Sequence, residues 1–339
     1  MPSILILLRL AGGISEQYYE GIRAAFPDMD VNFIDHVDKA DRYLSELDIL
    51  ITHGPYLADR ADFVFANSPK LKWVQGIGTG VDNIVDRPAL RKDVIVTNIH
   101  GVHGPQMSEA ALAAMLVLSR KIQRSVKNQE RHRWENWPSR LLNGKTLGIF
   151  GVGSIAESIA PRCRALGMKV VGISSGVRSV EGFDQIYDRA QLPEVVPQLD
   201  YFLLLTPLSP ATRNIIDAKI LDLMKPDSYL INLARGGVVD EQAMLDALES
   251  GRIRGAALDV FEPEPPRSRR LLELRNVVLS PHIGGISELS VGEMLHQATG
   301  AVLDVLAGRI PDGLVNRDVL EIAPLAPAGS RAGERQQPS

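Results

Sequence analysis

Several features are scarce in this chain, and each scarcity excludes a class of protein. Only one of the 339 residues is cysteine, Cys163, so an internal disulfide and a cysteine-based metal cluster are excluded. The net charge is only −4, which does not favour a nucleic acid or a membrane surface as a partner. The apolar opening run at 4–8 is far shorter than the roughly 20 residues of a membrane span. We therefore expect a cytoplasmic protein with no metal site and no membrane or nucleic-acid partner.

The composition that remains is that of a globular protein. Hydrophobic residues make up 45% of the chain and charged residues 23%. At about 100–200 residues per domain, the length predicts two domains.

Short apolar runs rich in β-branched residues alternate with longer amphipathic stretches. Such runs, bounded by Gly, Pro, Asp or Asn, are typical of strands covered on both faces, and their alternation with helices predicts parallel sheets built from βαβ units. Five runs lie in the first part of the chain, at 4–8, 31–34, 48–51, 72–75 and 94–98. Six more follow at 146–151, 169–174, 201–206, 229–234, 255–260 and 276–280. Long helices are predicted at 107–126 and 287–306.

A nucleotide fingerprint follows the strand at 146–150. Gly151 allows a tight turn, Gly153 lets the backbone approach a pyrophosphate, and Ala156 takes the place of the usual third glycine. The phosphates would bind N–H groups at the start of the next helix, at Ser154 and Ile155. The preceding strand and the following helix make this string more specific than the motif alone.

The position of the fingerprint predicts a discontinuous organisation. It begins at residue 151, after a complete α/β segment. We expect a substrate domain of residues 1–101 and 284–320, a dinucleotide-binding domain of 102–283 inserted into it, and a disordered tail at 321–339. The predicted fold class is α/β, with two doubly wound parallel-sheet domains: a Rossmann NAD(P)-binding domain inserted into a flavodoxin-like substrate domain.

Four polar residues with distinct chemistry follow predicted strands of the second series. Arg235, Asp259, Glu264 and His282 should gather at the carboxyl ends of the strands, where ligands of open α/β sheets bind. Reduction of a 2-keto acid needs a proton donor, which suits a histidine held by a carboxylate, and a fork of donors for the carboxylate or keto oxygen, which suits an arginine. Alone, each residue could equally be structural or solvated.

Six stretches of the chain resemble the D-isomer-specific 2-hydroxyacid dehydrogenase family. They are 232–241, 257–265 and 280–285, with 76–84, 108–120 and 206–216. Over about residues 45–317 the match is closest in character to glyoxylate/hydroxypyruvate reductases. The resemblance implies hydride transfer between NAD(P)H and a small 2-keto or D-2-hydroxy acid, a homodimer, and two domains meeting at a cleft. It implies catalysis by Arg235, Glu264 and His282. It further implies substrate binding by Thr79, Gly80, Arg235 and His282, and cofactor binding by Gly151, Gly153, Ser154, Ile155, Ser174, Ser175, Arg178, Thr206, Pro207, Thr212, Leu233, Ala234, Arg235, Asp259, His282, Gly284 and Gly285.

The cofactor prediction departs from the commoner pattern. NAD-specific folds end the second strand in Asp or Glu, which holds the ribose 2′-hydroxyl. Here Ser174, 23 residues after Gly151, is followed by Ser175 and then by Arg178. Small hydroxyls and an arginine suit a 2′-phosphate, so NADP(H) is expected to be preferred, with NAD(H) possible if Arg178 points into solvent.

Other functions remain open from the sequence. A nucleotide-sensing binding protein of the corepressor type shares the fold, and so do formate and phosphite dehydrogenases. Glu264 argues against formate oxidation, since those enzymes carry glutamine there. No role follows from the sequence for His53 or for the basic loop 267–270.

Overall fold

Twelve strands and eleven α-helices are present in residues 2–10 and 12–316, the part of the chain that this computed structural model describes. The strands are β1 (Ser3–Leu7), β2 (Asp30–Ile34), β3 (Ile49–Thr52), β4 (Trp73–Gly76), β5 (Ile95–Thr97), β6 (Thr146–Phe150), β7 (Lys169–Ser174), β8 (Gln185–Asp188), β9 (Tyr201–Leu204), β10 (Tyr229–Asn232), β11 (Gly255–Leu258) and β12 (Val277–Leu279). The helices are α1 (Ile14–Ala25), α2 (Gly54–Leu57), α3 (Ala61–Ala66), α4 (Gly104–Arg120), α5 (Ile122–Glu130), α6 (Ser154–Ala165), α7 (Leu192–Val195), α8 (Ala218–Leu223), α9 (Glu241–Glu249), α10 (Arg269–Glu273) and α11 (Ser290–Leu306).

The described chain forms two compact units. One contains residues 2–102 and 288–316, and the other contains His103–Ser287. The first unit is therefore discontinuous. The predicted tail at 321–339 and the end of the predicted substrate domain, 317–320, lie outside the described residues.

The first unit is built on a five-stranded parallel sheet. Its order is β2-β1-β3-β4-β5, and β1 is buried along its whole length, as its continuous apolar run predicts. Apolar clusters cover both faces of the sheet. The helices α1 and α11 pack together at Gly21, where a Cβ atom would lie 2.7 Å from the Leu295 side chain.

The second unit is built on a seven-stranded parallel sheet in the order β12-β11-β10-β9-β6-β7-β8. The order reverses at β6, since β7 lies on one side of this strand and β9 on the other. Ligands of such sheets bind at this reversal, beyond the carboxyl ends of the strands. Apolar clusters cover both faces here too, so the predicted fold class of two parallel-sheet domains is confirmed.

The predicted helix 107–126 is wrong as a single element. Lys121 has φ +56, in the left-handed region, and ends α4 before α5 begins. The apolar face predicted for one helix does not continue, because Ile122 is 44% exposed. The strand β8 was not predicted, since its sequence QIYD is short and polar.

Candidate active site

The turn after β6 has the backbone conformation of a dinucleotide fingerprint. Gly151 has φ +105, and a Cβ atom there would lie 2.7 Å from the backbone nitrogen of Thr206, so only glycine fits. Gly153 is the N-cap of α6, and no side chain caps this helix. A Cβ atom at Gly153 would meet nothing within 4 Å. An uncapped helix N-terminus beside open space fits a pyrophosphate.

The other predicted residues of this region lie around the turn. Ser154 is exposed and Ile155 is half-buried in the first turn of α6. After β9, the Thr212 hydroxyl donates to the Pro207 carbonyl oxygen at 2.7 Å and accepts from the Ser209 N–H at 2.8 Å. The Thr212 hydroxyl therefore closes the loop after β9 on itself.

The end of β7 carries hydroxyls and a guanidinium. Ser174 is the last residue of the strand, and the following Ser175 is exposed. The Arg178 guanidinium donates to the Val152 carbonyl oxygen at 3.2 Å and to Glu157 Oε1 at 2.7 Å. Arg178 therefore does not point freely into solvent; its charge lies over the fingerprint turn and is shared with Glu157.

Arg235 lies three residues beyond β10, on a segment held by Asn232. The Asn232 side chain accepts from the Ala234 N–H and donates to the Arg235 carbonyl oxygen, both at 3.0 Å. Leu233 and Ala234 are buried, and Arg235 is half-buried with an extended backbone.

Asp259, directly after β11, organises the loop that carries His282. Its carboxylate is 3% exposed and accepts from the Ser280 hydroxyl at 2.5 Å. It also accepts from the N–H groups of Ile283 at 3.0 Å and Gly284 at 2.8 Å. A Cβ atom at Gly284 would lie 2.9 Å from Asp259 Oδ2, which explains the glycine. Asp259 was predicted to contact a cofactor, and the bonds within this loop were not predicted.

A carboxylate–imidazole pair follows the same strands. Glu264 Oε2 lies 2.8 Å from His282 Nδ1, and the other carboxylate oxygen accepts from the Phe261 N–H at 3.0 Å. Both side chains are a little over a quarter exposed. His282 has φ +55, a left-handed conformation stabilised by the bonds from its two following residues to Asp259.

Neighbouring strands bring these groups to one edge of the sheet. The strands β10, β11 and β12 pair in that order and in parallel, so Arg235, Asp259 and His282 all follow carboxyl ends of adjacent strands. Gly285 lies in the same loop as His282, and a Cβ atom there would be 3.7 Å from His103 Nδ1.

In the other unit, a second group of residues follows β3 and β4. The Thr79 carbonyl oxygen accepts from the Asn98 side chain at 2.8 Å, which fixes the loop that contains Thr79 and Gly80. The His53 ring packs edge-on against Tyr56, with ring centroids 5.2 Å apart. A Cβ atom at Gly78 would lie 3.9 Å from the His53 ring, so His53 borders this loop.

Some contacts near the site were missed by the sequence analysis. Arg213 binds Glu262 with two hydrogen bonds, although neither residue had a predicted role. In the basic loop 267–270, Arg270 binds Asp246 and Glu249. The sequence offered one signal for these contacts, which is that the paired residues have opposite charges. Because the residues lie in segments far apart in sequence, that signal did not indicate which of them pair.

The described residues contain neither a metal-binding cluster nor a membrane-spanning helix. No group of three or more His, Cys, Asp or Glu side chains in residues 2–10 and 12–316 could hold a metal ion. Within the same part of the chain, every helix is too short or too polar to span a lipid bilayer.

Comparison with known proteins decides the family. A family model described as "D-isomer specific 2-hydroxyacid dehydrogenase, NAD binding domain" matches residues 112–284. The chain belongs to the D-isomer specific 2-hydroxyacid dehydrogenase family. It is 35% identical over 290 residues to a glyoxylate reductase of Thermococcus litoralis, covering 82% of this chain and 86% of that protein.

Two further members of the family place the chain within it. It is 34% identical over 284 residues to a D-3-phosphoglycerate dehydrogenase of Methanocaldococcus jannaschii, covering 80% of this chain but 52% of that protein. The chain thus spans about half the length of that relative. A solved NADPH-dependent glyoxylate/hydroxypyruvate reductase of Sinorhizobium meliloti, in complex with NADP and sulfate, superimposes with a TM-score of 0.79 at 27% identity, covering 94% of this chain and 99% of that one. This chain is therefore an NAD(P)-dependent 2-hydroxyacid dehydrogenase with a Rossmann NAD-binding domain.

Proposed function

We propose that this dehydrogenase reduces a small 2-keto acid of the glyoxylate or hydroxypyruvate type to the D-2-hydroxy acid, with NADPH preferred to NADH. The observation that carries the reaction is the 2.8 Å contact between Glu264 Oε2 and His282 Nδ1. The choice of substrate is supported by the glyoxylate reductase relative, which matches this chain over most of both lengths. The match to the phosphoglycerate dehydrogenase relative covers only about half of that protein, so it supports the choice of substrate less.

In the proposed mechanism, His282 is the proton donor. When bound, a reduced nicotinamide cofactor would supply the hydride that the keto carbon receives. The imidazolium of His282 protonates the carbonyl oxygen, and the Glu264 carboxylate stabilises that imidazolium and orients its ring. In the oxidative direction His282 accepts the proton. One hydride and one proton thus convert the keto group to an alcohol.

The substrate would be bound through its carboxylate and carbonyl oxygens. The guanidinium of Arg235 presents parallel donors to such oxygens and adds positive charge where negative charge develops. For the backbone N–H groups of Thr79 and Gly80 we keep the role that the family resemblance implies, which is substrate binding. The fixed loop after β4, held by Asn98, supports that assignment.

The cofactor would be bound by the His103–Ser287 unit, with the other unit as the substrate domain. The uncapped start of α6 and the Gly151 turn fit the pyrophosphate. We propose that Asp259 and Thr206 border the nicotinamide end of the cofactor. One oxygen of Asp259 accepts a single hydrogen bond, and Thr206 contacts the Gly151 turn. The remaining predicted cofactor residues keep that proposed role; they are Ser154, Ile155, Pro207, Thr212, Leu233, Ala234, Gly284 and Gly285.

The NADPH preference rests on the end of β7. Ser174 and Ser175 supply hydroxyls where a carboxylate would repel a 2′-phosphate, and Arg178 lies over the adjacent turn. Since Arg178 is already bound to Glu157, a phosphate with about two negative charges would have to compete with one carboxylate for it. The NADP complex of the Sinorhizobium meliloti reductase supports the same preference.

We also propose that the protein is a cytoplasmic homodimer that associates through α5 and the segment after it. The helix α5 has no buried residue, although helices are normally stabilised by an apolar face packed on a partner. Exposed apolar side chains cluster along this stretch of the chain: Leu116, Ile122, Val126, Trp134 and Leu141. A second copy would cover them. Cys163 is buried in α6, and burial raises the pKa of its thiol to about 12, which is compatible with a reducing compartment.

The reaction is tested by a keto-acid panel and a histidine variant. Purified protein should oxidise NADPH with glyoxylate or hydroxypyruvate, and His282→Ala should lower kcat by about 10²–10⁴-fold, the usual contribution of a positioned acid–base group. His36→Ala is the matched control, because His36 is exposed and its ring contacts Asp38 at the surface of the other unit. Near-native turnover in His282→Ala would contradict the assignment of His282 as the proton donor. Binding of NADPH without turnover of any 2-keto acid would instead favour a nucleotide-sensing role.

A further inference from the structure

The Arg213–Glu262 pair joins two loops of the candidate active site. Arg213 Nη1 donates to Glu262 Oε2 at 2.7 Å, and Nη2 donates to Oε1 at 3.1 Å. Arg213 follows β9, and Glu262 follows β11. Two parallel bonds between a guanidinium and a carboxylate form the most directional ion pair that side chains make. The hydrogen bonds that Arg213 donates to Glu262 raise the pKa of its guanidinium, so this group stays charged.

A third loop, which carries Arg235, lies directly beneath this pair. A Cβ atom at Gly236 would lie 2.2 Å from the carbonyl carbon of Phe261, and one at Gly237 would lie 2.5 Å from Glu262 Oε2. The two glycines therefore allow the loop after β11 to rest on the loop after β10. The Asn214 N–H also donates to the Gly237 carbonyl oxygen at 2.9 Å, so all three loops are connected.

Apolar packing holds the start of the loop after β11, since Val260 is buried and Phe261 packs against the apolar cluster of the sheet. A cavity of about 110 Å³ lies between this loop and the sheet. Its lining includes Asn232, Gly236, Phe261 and Glu262. Residues 262–265 are exposed, so the position of this outer part of the loop depends on its polar contacts.

The same loop carries the carboxylate that meets the histidine. Glu264 lies two residues beyond Glu262, and its carboxylate bridges the Phe261 N–H and His282 Nδ1. A shift of the backbone at Glu262 would move Phe261 and Glu264 together, away from His282. Such a shift need not unfold the sheet, since Arg213 and Glu262 are each about half exposed.

We propose that Arg213 is a positioning residue: by holding Glu262 with both guanidinium nitrogens, it keeps the loop after β11 where the Glu264 carboxylate contacts His282. This inference rests on the proposed function, in which His282 exchanges the proton and Glu264 stabilises its imidazolium. Arg213 acts through Glu264 and needs no contact with the substrate.

A double-mutant cycle tests this inference. Arg213→Met should lower kcat by about 10- to 100-fold, the cost of a misplacement near 1 Å, while KM for the cofactor changes less than about two-fold. In a Glu264→Gln background, the same Arg213→Met change should lower kcat less than about three-fold, because the carboxylate through which Arg213 acts is gone. Arg213→Lys, which keeps the charge but not the fork, should recover part of the loss.

The pH profile gives a readout that a purely structural role would not move. In Arg213→Met, the alkaline limb of the kcat profile for reduction should shift to lower pH, because the imidazolium loses its carboxylate partner. Arg252→Met is the matched control: its ion pair with Asp222 lies in the same unit, at 3.8 Å, and involves none of these loops. The control should leave both kcat and the pH profile unchanged.

The possible outcomes distinguish a failure of the Arg213 inference from a failure of the proposed Glu264–His282 mechanism. If Glu264→Gln lowers activity but Arg213→Met has an equal effect in both backgrounds, or none in either, Arg213 does not act through Glu264. If Glu264→Gln itself leaves kcat and the pH profile unchanged, the Glu264–His282 mechanism has failed instead. Thermal unfolding of each variant shows whether it is folded. If Arg213→Met is unfolded, Glu262→Gln decides, since it should show the same loss and the same shift, and Arg213→Lys should show a smaller loss.

Discussion

The histidine at 282 shows how one residue is held in place by backbone bonds from its neighbours. A non-glycine residue at φ +55 costs roughly 1–2 kcal/mol relative to ordinary backbone conformations. The Asp259 carboxylate offsets this cost, since it accepts the next two N–H groups while it is buried itself. Ser280 binds the same carboxylate from the other side of the histidine. The direction of the imidazole ring therefore depends on Asp259 as well as on Glu264.

The cofactor preference also belongs to the residue scale. Ser174→Asp should move the ratio of kcat/KM for NADPH over NADH towards NADH by about 10-fold or more, because a carboxylate at the end of β7 repels a 2′-phosphate and binds a 2′-hydroxyl. Steady-state kinetics with both cofactors measure this ratio. Ser179→Asp, in the loop beyond Arg178, is the control for added charge. A native preference for NADH, or an equal change in both variants, would show that Ser174 does not face the ribose.

At the scale of elements, one aspartate reinforces the ladder that joins the edge strand β8 to β7. Asp184 lies directly before β8, and its carboxylate accepts from the Val170 N–H and from Arg164, both at 2.7 Å. The bond from Val170, and then that from Arg164, lowers the pKa of Asp184. Because β8 is short and lies at the edge of the sheet, this carboxylate adds to the few backbone pairs that join it to β7.

Replacing this carboxylate should reduce stability in a way that depends on pH. Asp184→Ala should lower the free energy of unfolding by about 1–3 kcal/mol at pH 7, the range for hydrogen bonds to a charged group. A group with a depressed pKa contributes its full stability above its unfolded pKa of about 4, and this contribution disappears as the pH falls through the lower, folded value. The difference from the native protein should thus be constant between pH 5 and 7 and shrink below about pH 4.

Urea unfolding at several pH values measures this difference. Asp28→Ala, at an exposed position of the other unit, is the control and should have little effect at any pH. A difference between Asp184→Ala and the native protein that stayed constant down to pH 3 would mean that folding does not lower the pKa of this carboxyl.

At the scale of the whole molecule, the chain folds as two separate apolar cores. Each unit has its own parallel sheet with apolar clusters on both faces. The helix α11 returns the chain to the first unit, where Met294, Ala298 and Val302 are buried. What neither core explains is α5, since none of its residues is buried.

The proposed dimer accounts for the exposed surface around α5. The native protein should have a solution mass near twice 37.1 kDa at micromolar concentration. Trp134→Glu should weaken association by at least about 2 kcal/mol, as expected for an aromatic residue at the centre of an interface. Ile310→Glu is the control, because Ile310 is 58% exposed but lies in the other unit. Light scattering that gave a monomer for the native protein, or an unchanged dimer for Trp134→Glu, would contradict this surface.

The sequence by itself determined the family, the fold class and most of the strands. Eleven runs of apolar residues correspond to strands of the two sheets, because a strand buried on both faces needs an unbroken apolar stretch. The Gly151–Gly153 turn could be predicted for the same local reason: its backbone conformation and lack of side chains are properties of a few adjacent residues. The polar strand β8 and the break at Lys121 had no such signal, because their conformations depend on neighbours far away in sequence.

The tertiary structure decided the polar contacts that the sequence analysis did not predict. Arg213 and Glu262 are 49 residues apart, and their contact requires β9, β10 and β11 to pair in order before their loops touch. The same holds for Asp259, which was expected to face a cofactor and also binds the backbone around His282. Burial is encoded residue by residue in the chain, whereas a bond between two loops depends on the register of whole strands. The apolar pattern therefore predicts where the sheets form, and the folded loops decide how their polar ends are connected.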